Sequence, residues 1–181
     1  MDNDVVKLSQ AADYAARQHR AQRRKGARAE PYVNHLTEVA AMLAEATDGA
    51  DPVLVMGGLL HDTLEDTDAT YEDLAARFGP EVAALVAEVT DDKSLPKDVR
   101  KRQQIEKTPS KSRRAKLLKI ADKTSNLRSL VHSPPAGWTD ERLRDYVVWA
   151  VDVVRSCRGL NAKLEAQFDA AYDTARRHLG A

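Results

Sequence analysis

The chain has 181 residues, 28 Lys+Arg against 28 Asp+Glu, 43% hydrophobic residues and one cysteine. That length fits a single domain, residues 1–181, burying roughly 70% of its unfolded surface, and one cysteine excludes a disulfide framework. No apolar run approaches the roughly 18–20 residues of a membrane span, and the first twenty residues, with Asp2, Asp4, Asp13, Arg17 and Arg20, hold no secretory apolar region, so a soluble, cytoplasmic chain with no membrane partner is expected.

Val5, Leu8, Ala12, Ala15 and Ala16 recur at helical spacing and predict a first helix running to about His19. A basic loop closed by Glu30-Pro31-Tyr32 follows, then a second helix starting near His35 with Val39, Met42 and Leu43 on its apolar face. Asp51-Pro52 is a helix start, because Asp accepts from orphan backbone N–H groups and Pro has none to waste. The helix it opens, through Val53, Leu54, Met56, Leu59 and Leu60, is apolar nearly all round and is expected at the centre. Thr70 caps the next helix, and Gly79-Pro80 separates it from one over Glu81 to Glu88. A basic, polar stretch containing Pro96 and Pro109 comes next, read as irregular. Ser112 to Val131 is a long helix with Ala115, Leu118, Ala121, Leu127 and Leu130 on one stripe; Ser133 to Gly137 is a loop; two more helices reach His178. Nothing alternates with period two, so the fold class is all-α, a single helical bundle.

The balanced net charge conceals segregation. Six bases and no carboxylate lie between Asp13 and Glu30, fourteen carboxylates and one base (Arg77) between Glu38 and Asp92, and eleven bases against Asp98 and Glu106 between Lys93 and Lys119. Solvated helix faces would account for such blocks, as would an acidic metal centre flanked by bases for an anionic ligand.

His61-Asp62 follows the most apolar helix, and Glu65-Asp66 comes three residues later. Buried polar groups are costly unless paired or coordinated, and crowded carboxylates repel unless a cation joins them. His61 alone is equally a satisfied helix-end histidine. His35 and Asp122, each at another helix, add to it. Asp122 lies inside a core-facing helix with Lys119 and Asn126 near it, so an Asp122–Lys119 pair is the plain alternative to a ligand. Two imidazoles and two carboxylates would suit Mn²⁺, Fe²⁺ or Zn²⁺ and could acidify water.

His35, His61-Asp62 and Asp122 resemble the H…HD…D signature of HD-domain metal-dependent phosphohydrolases. Arg23-Arg24-Lys25, Pro31 to His35, Leu59 to Thr67, Phe78-Gly79, Glu88 to Asp92, Ala121-Asp122-Lys123, Asn126-Leu127-Arg128 and Gly137-Trp138 further resemble the small alarmone hydrolases of the RelA/SpoT family over essentially the whole chain. The resemblance implies an HD-domain bundle, one Mn²⁺, and hydrolysis of the 3′-pyrophosphate of (p)ppGpp to GDP or GTP. It assigns His35, His61, Asp62 and Asp122 to the metal, Glu65 and Asp66 to the attacking water, and Arg24, Lys25, Asn126 and Arg128 to the nucleotide. The pattern departs at Thr124-Ser125, where relatives carry a larger apolar residue and Tyr, which bears on the base or ribose pocket.

An HD enzyme acting on NADPH or nucleoside phosphates is the alternative, since a fold does not set a substrate. A nucleic-acid partner is not expected, because aromatics are 5% and the centre is acidic. No oligomeric state is read from the sequence. Cys157, Trp149 and Phe168 are expected in packing, as is Trp138, and His19, His132 and His178 at the surface or helix ends.

Overall fold

The computed structural model describes residues 4–180. Its helices are α1 (Asp4–Gln18), α2 (Val33–Ala46), α3 (Pro52–Leu60), α4 (Thr63–Asp66), α5 (Tyr71–Phe78), α6 (Pro80–Val89), α7 (Lys97–Lys107), α8 (Arg113–His132), α9 (Asp140–Arg155) and α10 (Ala162–Leu179), with a 3₁₀ turn at Thr108–Ser110. Among the described residues there is no strand, only isolated bridges between Arg23 and Pro31 and between Gly26 and Pro135. The all-α expectation is met.

The expected caps form. Asp51 accepts from the Leu54 N–H, and Thr70 and Asp73 cap each other's backbone; Ser112, Thr139 and Asn161, not singled out as caps in the sequence, also accept from the N–H three residues on. The irregular reading of the Pro96 stretch is corrected: Lys97–Lys107 is a helix. It buries no residue, so it lacks the apolar stripe that marks a helix in sequence; long straight side chains form it.

Two apolar clusters build the core. One draws only on residues 11–86 and packs α1, α3, α5 and α6 on one side of α2. The other surrounds α8 with α9, α10 and the far side of α2. Helix α8 packs chiefly on α10, α2 and α9, and α3 on α2, α1 and α6. Gly58 permits the α2–α3 contact: a Cβ there would meet Leu43 Cδ1 at 2.9 Å and Ala40 Cα at 3.0 Å. This close approach brings the C-terminal end of α3 beside the start of α2.

Candidate metal centre and nucleotide cleft

His35 stands in the first turn of α2, His61 caps the C-terminal end of α3, Asp62 follows it, and Asp122 lies in the middle of α8. The ring contact of His35 and His61 is edge-on, with centroids 5.1 Å apart. His35 Nε2 lies 3.4 Å from Asp122 Oδ1 and 3.8 Å from Asp62 Oδ2, and His61 Nε2 lies 3.1 and 3.9 Å from Asp62 Oδ2 and Asp122 Oδ1. Thus His35, His61 and Asp62 bring ligand atoms within 4.8 Å of one another, and Asp122 joins them through its approach to both imidazoles.

The far nitrogen of each ring is tied down. His61 Nδ1 is 2.9 Å from the Gly58 carbonyl, which only accepts, and His35 Nδ1 is 2.8 Å from Ser125 Oγ. His61 Nε2 is buried without an aligned hydrogen-bond partner, although Asp62 is near. Burial opposes charge on His61, but Asp62 and Asp122 outweigh it and push its pKa up to about 9. The carboxylates therefore draw in a proton, whose place a cation can take. Burial raises the Asp62 and Asp122 carboxyls, yet His61 beside the first and Lys123 beside the second hold both below the usual range. An orphaned imidazole nitrogen, a second one and two ionised carboxylates fit a divalent ion of borderline softness.

A second layer orients these groups. Tyr32 donates its hydroxyl to Asp62 Oδ2 at 2.6 Å, and Asp122 accepts from Lys123 Nζ at 2.8 Å and from Asn126 Nδ2 at 2.7 Å. Asp122 therefore pairs with Lys123, not Lys119, which donates to the Val89 carbonyl. Arg24 reaches Asn126 Oδ1 at 3.2 Å. Glu65 accepts from the Asp91 N–H at 3.1 Å, and burial, with Asp62 and Asp91 near, raises its pKa. Asp66 accepts from Gln22 at 2.7 Å and from Lys93.

These residues, His35 behind them excepted, line a cleft of about 530 Å³ into which nine bases and five carboxylates project. That excess of cations suits a polyanion. Lys97 and Lys101 titrate below the ordinary lysine range, chiefly through partial burial; neighbouring cations add to this for both, and Asp145 opposes it for Lys101. Lys25 lies on the rim, in a loop held by the Ala136 N–H donating to the Lys25 carbonyl at 3.2 Å.

Three expectations are displaced. Arg128 does not reach the cleft: it pairs with Glu38 at 2.9 Å and Gln167 at 3.1 Å behind α2. Thr124 and Ser125 face away from the cleft too, Thr124 bonding the Ile120 carbonyl and Ser125 bridging His35 and Glu38. Trp149, expected in packing, lines the cleft with Lys101 and Lys123 over its ring; Trp138 packs on the α8 cluster as expected and also lines the cleft, under Lys97 and Arg142. His19 stands at the end of α1, as expected of a helix-end histidine, but is 2% exposed and stacked on Tyr32. Cys157 and Phe168 are in the core, as expected. Sequence reasoning gave no role to Lys123, Tyr146 or Asp91; Lys123 and Asp91 left a trace as members of the resembling segments 121–123 and 88–92, and Tyr146 left none.

An all-helical bundle with this histidine–aspartate set is an HD-domain protein, and the HD domain family matches residues 11–170. The chain is 51% identical to the guanosine-3′,5′-bis(diphosphate) 3′-pyrophosphohydrolase MESH1 of Drosophila melanogaster, covering 91% of this chain and 92% of that one. It is 47% identical to the human MESH1 protein over the same shares. A solved structure described as a metazoan SpoT orthologue that hydrolyses ppGpp superposes with a TM-score of 0.89 at 49% identity, covering 96% of both chains. The chain belongs to the MESH1 family of HD-domain proteins.

Proposed function

We propose that this protein hydrolyses the 3′-pyrophosphate of (p)ppGpp, with one Mn²⁺ held by His35, His61, Asp62 and Asp122. The observation that carries this reading is the convergence of four ligand-type side chains from α2, α8 and the end of α3, three of which, His61, Asp62 and Asp122, line a cation-rich cleft. When bound, the metal supplies Lewis acidity, which draws charge off phosphoryl oxygens and makes water more nucleophilic near neutral pH. The names of the family's curated relatives and the raised identity across nearly the whole chain support this substrate.

In this reading Glu65 orients the attacking water and takes its proton; its backbone anchor at Asp91 holds the carboxylate in place. Asp66, tied to Gln22 and Lys93, fixes the second face of that water. Arg24 and Lys25 hold phosphate oxygens on one side and Lys97 and Lys101 on the other, neutralising the charge that builds on the phosphoryl oxygens as the water's oxygen bonds to phosphorus, the P–O3′ bond breaks and the ribose 3′-oxygen leaves to take up a proton. Asn126 bridges Arg24 to Asp122 and keeps the cationic loop in register with the ligands.

The test compares kcat/KM for ppGpp, GTP, GMP and NADPH at one Mn²⁺ concentration. The expected result is ppGpp ahead by at least about tenfold, or roughly 1.4 kcal/mol of transition-state discrimination. NADPH or a nucleoside phosphate level with it would replace the alarmone reading by a general HD phosphohydrolase.

A further inference from the structure

Behind His35 runs a hydrogen-bond chain that reaches nothing in the cleft. His35 Nδ1 meets Ser125 Oγ at 2.8 Å, Ser125 donates to Glu38 Oε2 at 2.6 Å, and Glu38 Oε1 accepts from Arg128 at 2.9 Å. Ser125 is 1% exposed and His35 3%, so water does not compete for the inner two links. Burial raises the Glu38 carboxyl, but the donors Ser125 and Arg128 outweigh it, and the group stays ionised.

We propose that Ser125 and Glu38 are positioning residues that lock His35 in the tautomer with its proton on Nδ1, presenting the Nε2 lone pair to the metal. The proposal rests on the metal reading above. A hydroxyl has one proton, and an ionised carboxylate has none to give. The Ser125 proton must therefore point at Glu38, which leaves an oxygen lone pair toward His35, and only an Nδ1–H satisfies it. His61 reaches the same state more simply, through the Gly58 carbonyl. His35 has no backbone carbonyl recorded against Nδ1, so the relay replaces one, and the carboxylate at its end increases the basicity of the ring. Helix geometry makes this possible. Glu38 lies three residues after His35 on the same face of α2, and Ser125 lies three after Asp122 on α8, so the relay spans the α2–α8 contact just behind the ligands.

Metal affinity decides the matter, measured by chelator competition with Mn²⁺ on metal-stripped protein. Ser125→Ala and Glu38→Ala are each expected to weaken Mn²⁺ binding by about 10–100-fold, and the double variant no further than the worse single, because both break one relay. Ser125→Thr, which keeps the hydroxyl, should restore binding. Arg128→Met removes the outer ion pair and the Gln167 hydrogen bond but leaves the two inner links intact; it should lower Tm while leaving Mn²⁺ affinity within about threefold. Ser125→Ala binding like wild type overturns the relay while the metal reading stands. Arg128→Met costing as much as Ser125→Ala overturns it too, by showing general loosening of α2 against α8. A wild-type protein that takes up no divalent metal overturns both readings. Should the alanine variants not fold, ¹⁵N side-chain shifts of His35 in the metal-free wild type give the answer: Nδ1–H supports the relay and Nε2–H overturns it.

Discussion

Lys123→Met separates the electrostatics of the metal centre from its packing. The Lys123 side chain is 4% exposed; its ammonium lies 2.8 Å from Asp122 Oδ2 and 4.5 Å from the Trp149 ring centre. Methionine keeps a flexible chain and a favourable sulfur contact with the ring, so the packing loss is small. Removing one member of a buried ion pair costs about 3–5 kcal/mol, since the other is left charged and dry. Asn126 still donates to Asp122 Oδ1, which places the cost near the lower figure. At about 2–4 °C per kcal/mol for a chain of this size, the metal-free variant should melt roughly 6–12 °C below wild type. A divalent ion compensates Asp122 by itself, so in Mn²⁺ the deficit should fall to less than half. Linkage then requires the variant to bind Mn²⁺ more tightly than wild type, because the competing ammonium is gone. Calorimetric melting with and without Mn²⁺ reads both quantities. An equal deficit in the two conditions, or weaker Mn²⁺ binding, refutes the argument that Lys123 and the metal share one carboxylate.

Glu65→Gln should keep the Asp91 N–H contact, the metal content and KM while lowering kcat by about 10²–10⁴-fold, measured by steady-state kinetics with metal analysis; a change confined to KM would reassign the residue. Gly26→Ala would place a Cβ 2.2 Å from the Ser133 carbonyl oxygen, prising the Arg24–Lys25 loop from the 133–137 loop; KM for ppGpp should rise at unchanged Mn²⁺ stoichiometry. Cys157 is fully buried, and burial pushes its pKa up to about 11. Native protein at pH 8 should resist iodoacetamide while urea-unfolded protein reacts. A group raised on folding stabilises below its unfolded value and loses that as pH rises, so urea midpoints should fall between about pH 9 and 11.

The sequence displayed some features because local chemistry produces them, and hid others because distant chemistry does. Asp51-Pro52, Thr70 and Gly79-Pro80 carry their own caps and turns, so those boundaries were readable to a residue or two. His35, His61, Asp62 and Asp122 were readable because four ligand-type residues interrupt apolar helices. Helix α7 was not, having only Val99 and Ile105 as large apolar residues among its charges. The partner of Asp122 was misjudged because a residue one turn away was weighed, whereas Lys123, the very next one, bends its long chain back along the buried helix to reach the carboxylate. Arg128 follows the Asn126 of a recognisable motif, yet two positions on a helix is about 200° of rotation, which turns it to the opposite side of α8 and onto Glu38.

The two apolar clusters enter the ribosome's exit tunnel at different times. The first is complete once residue 86 has emerged, and it already holds His35 and His61 against one another across the Gly58 contact. The second cannot close before α8 and α10 are made, because α8 buries its length against segments on both sides of it in the chain. A nascent chain therefore carries three potential ligands, His35, His61 and Asp62, well before Asp122 and the bases of α7 arrive. The half-built protein has no complete cleft for a nucleotide, and Asp122 comes beside His35 and His61 only when α8 seats, bringing Lys123 with it.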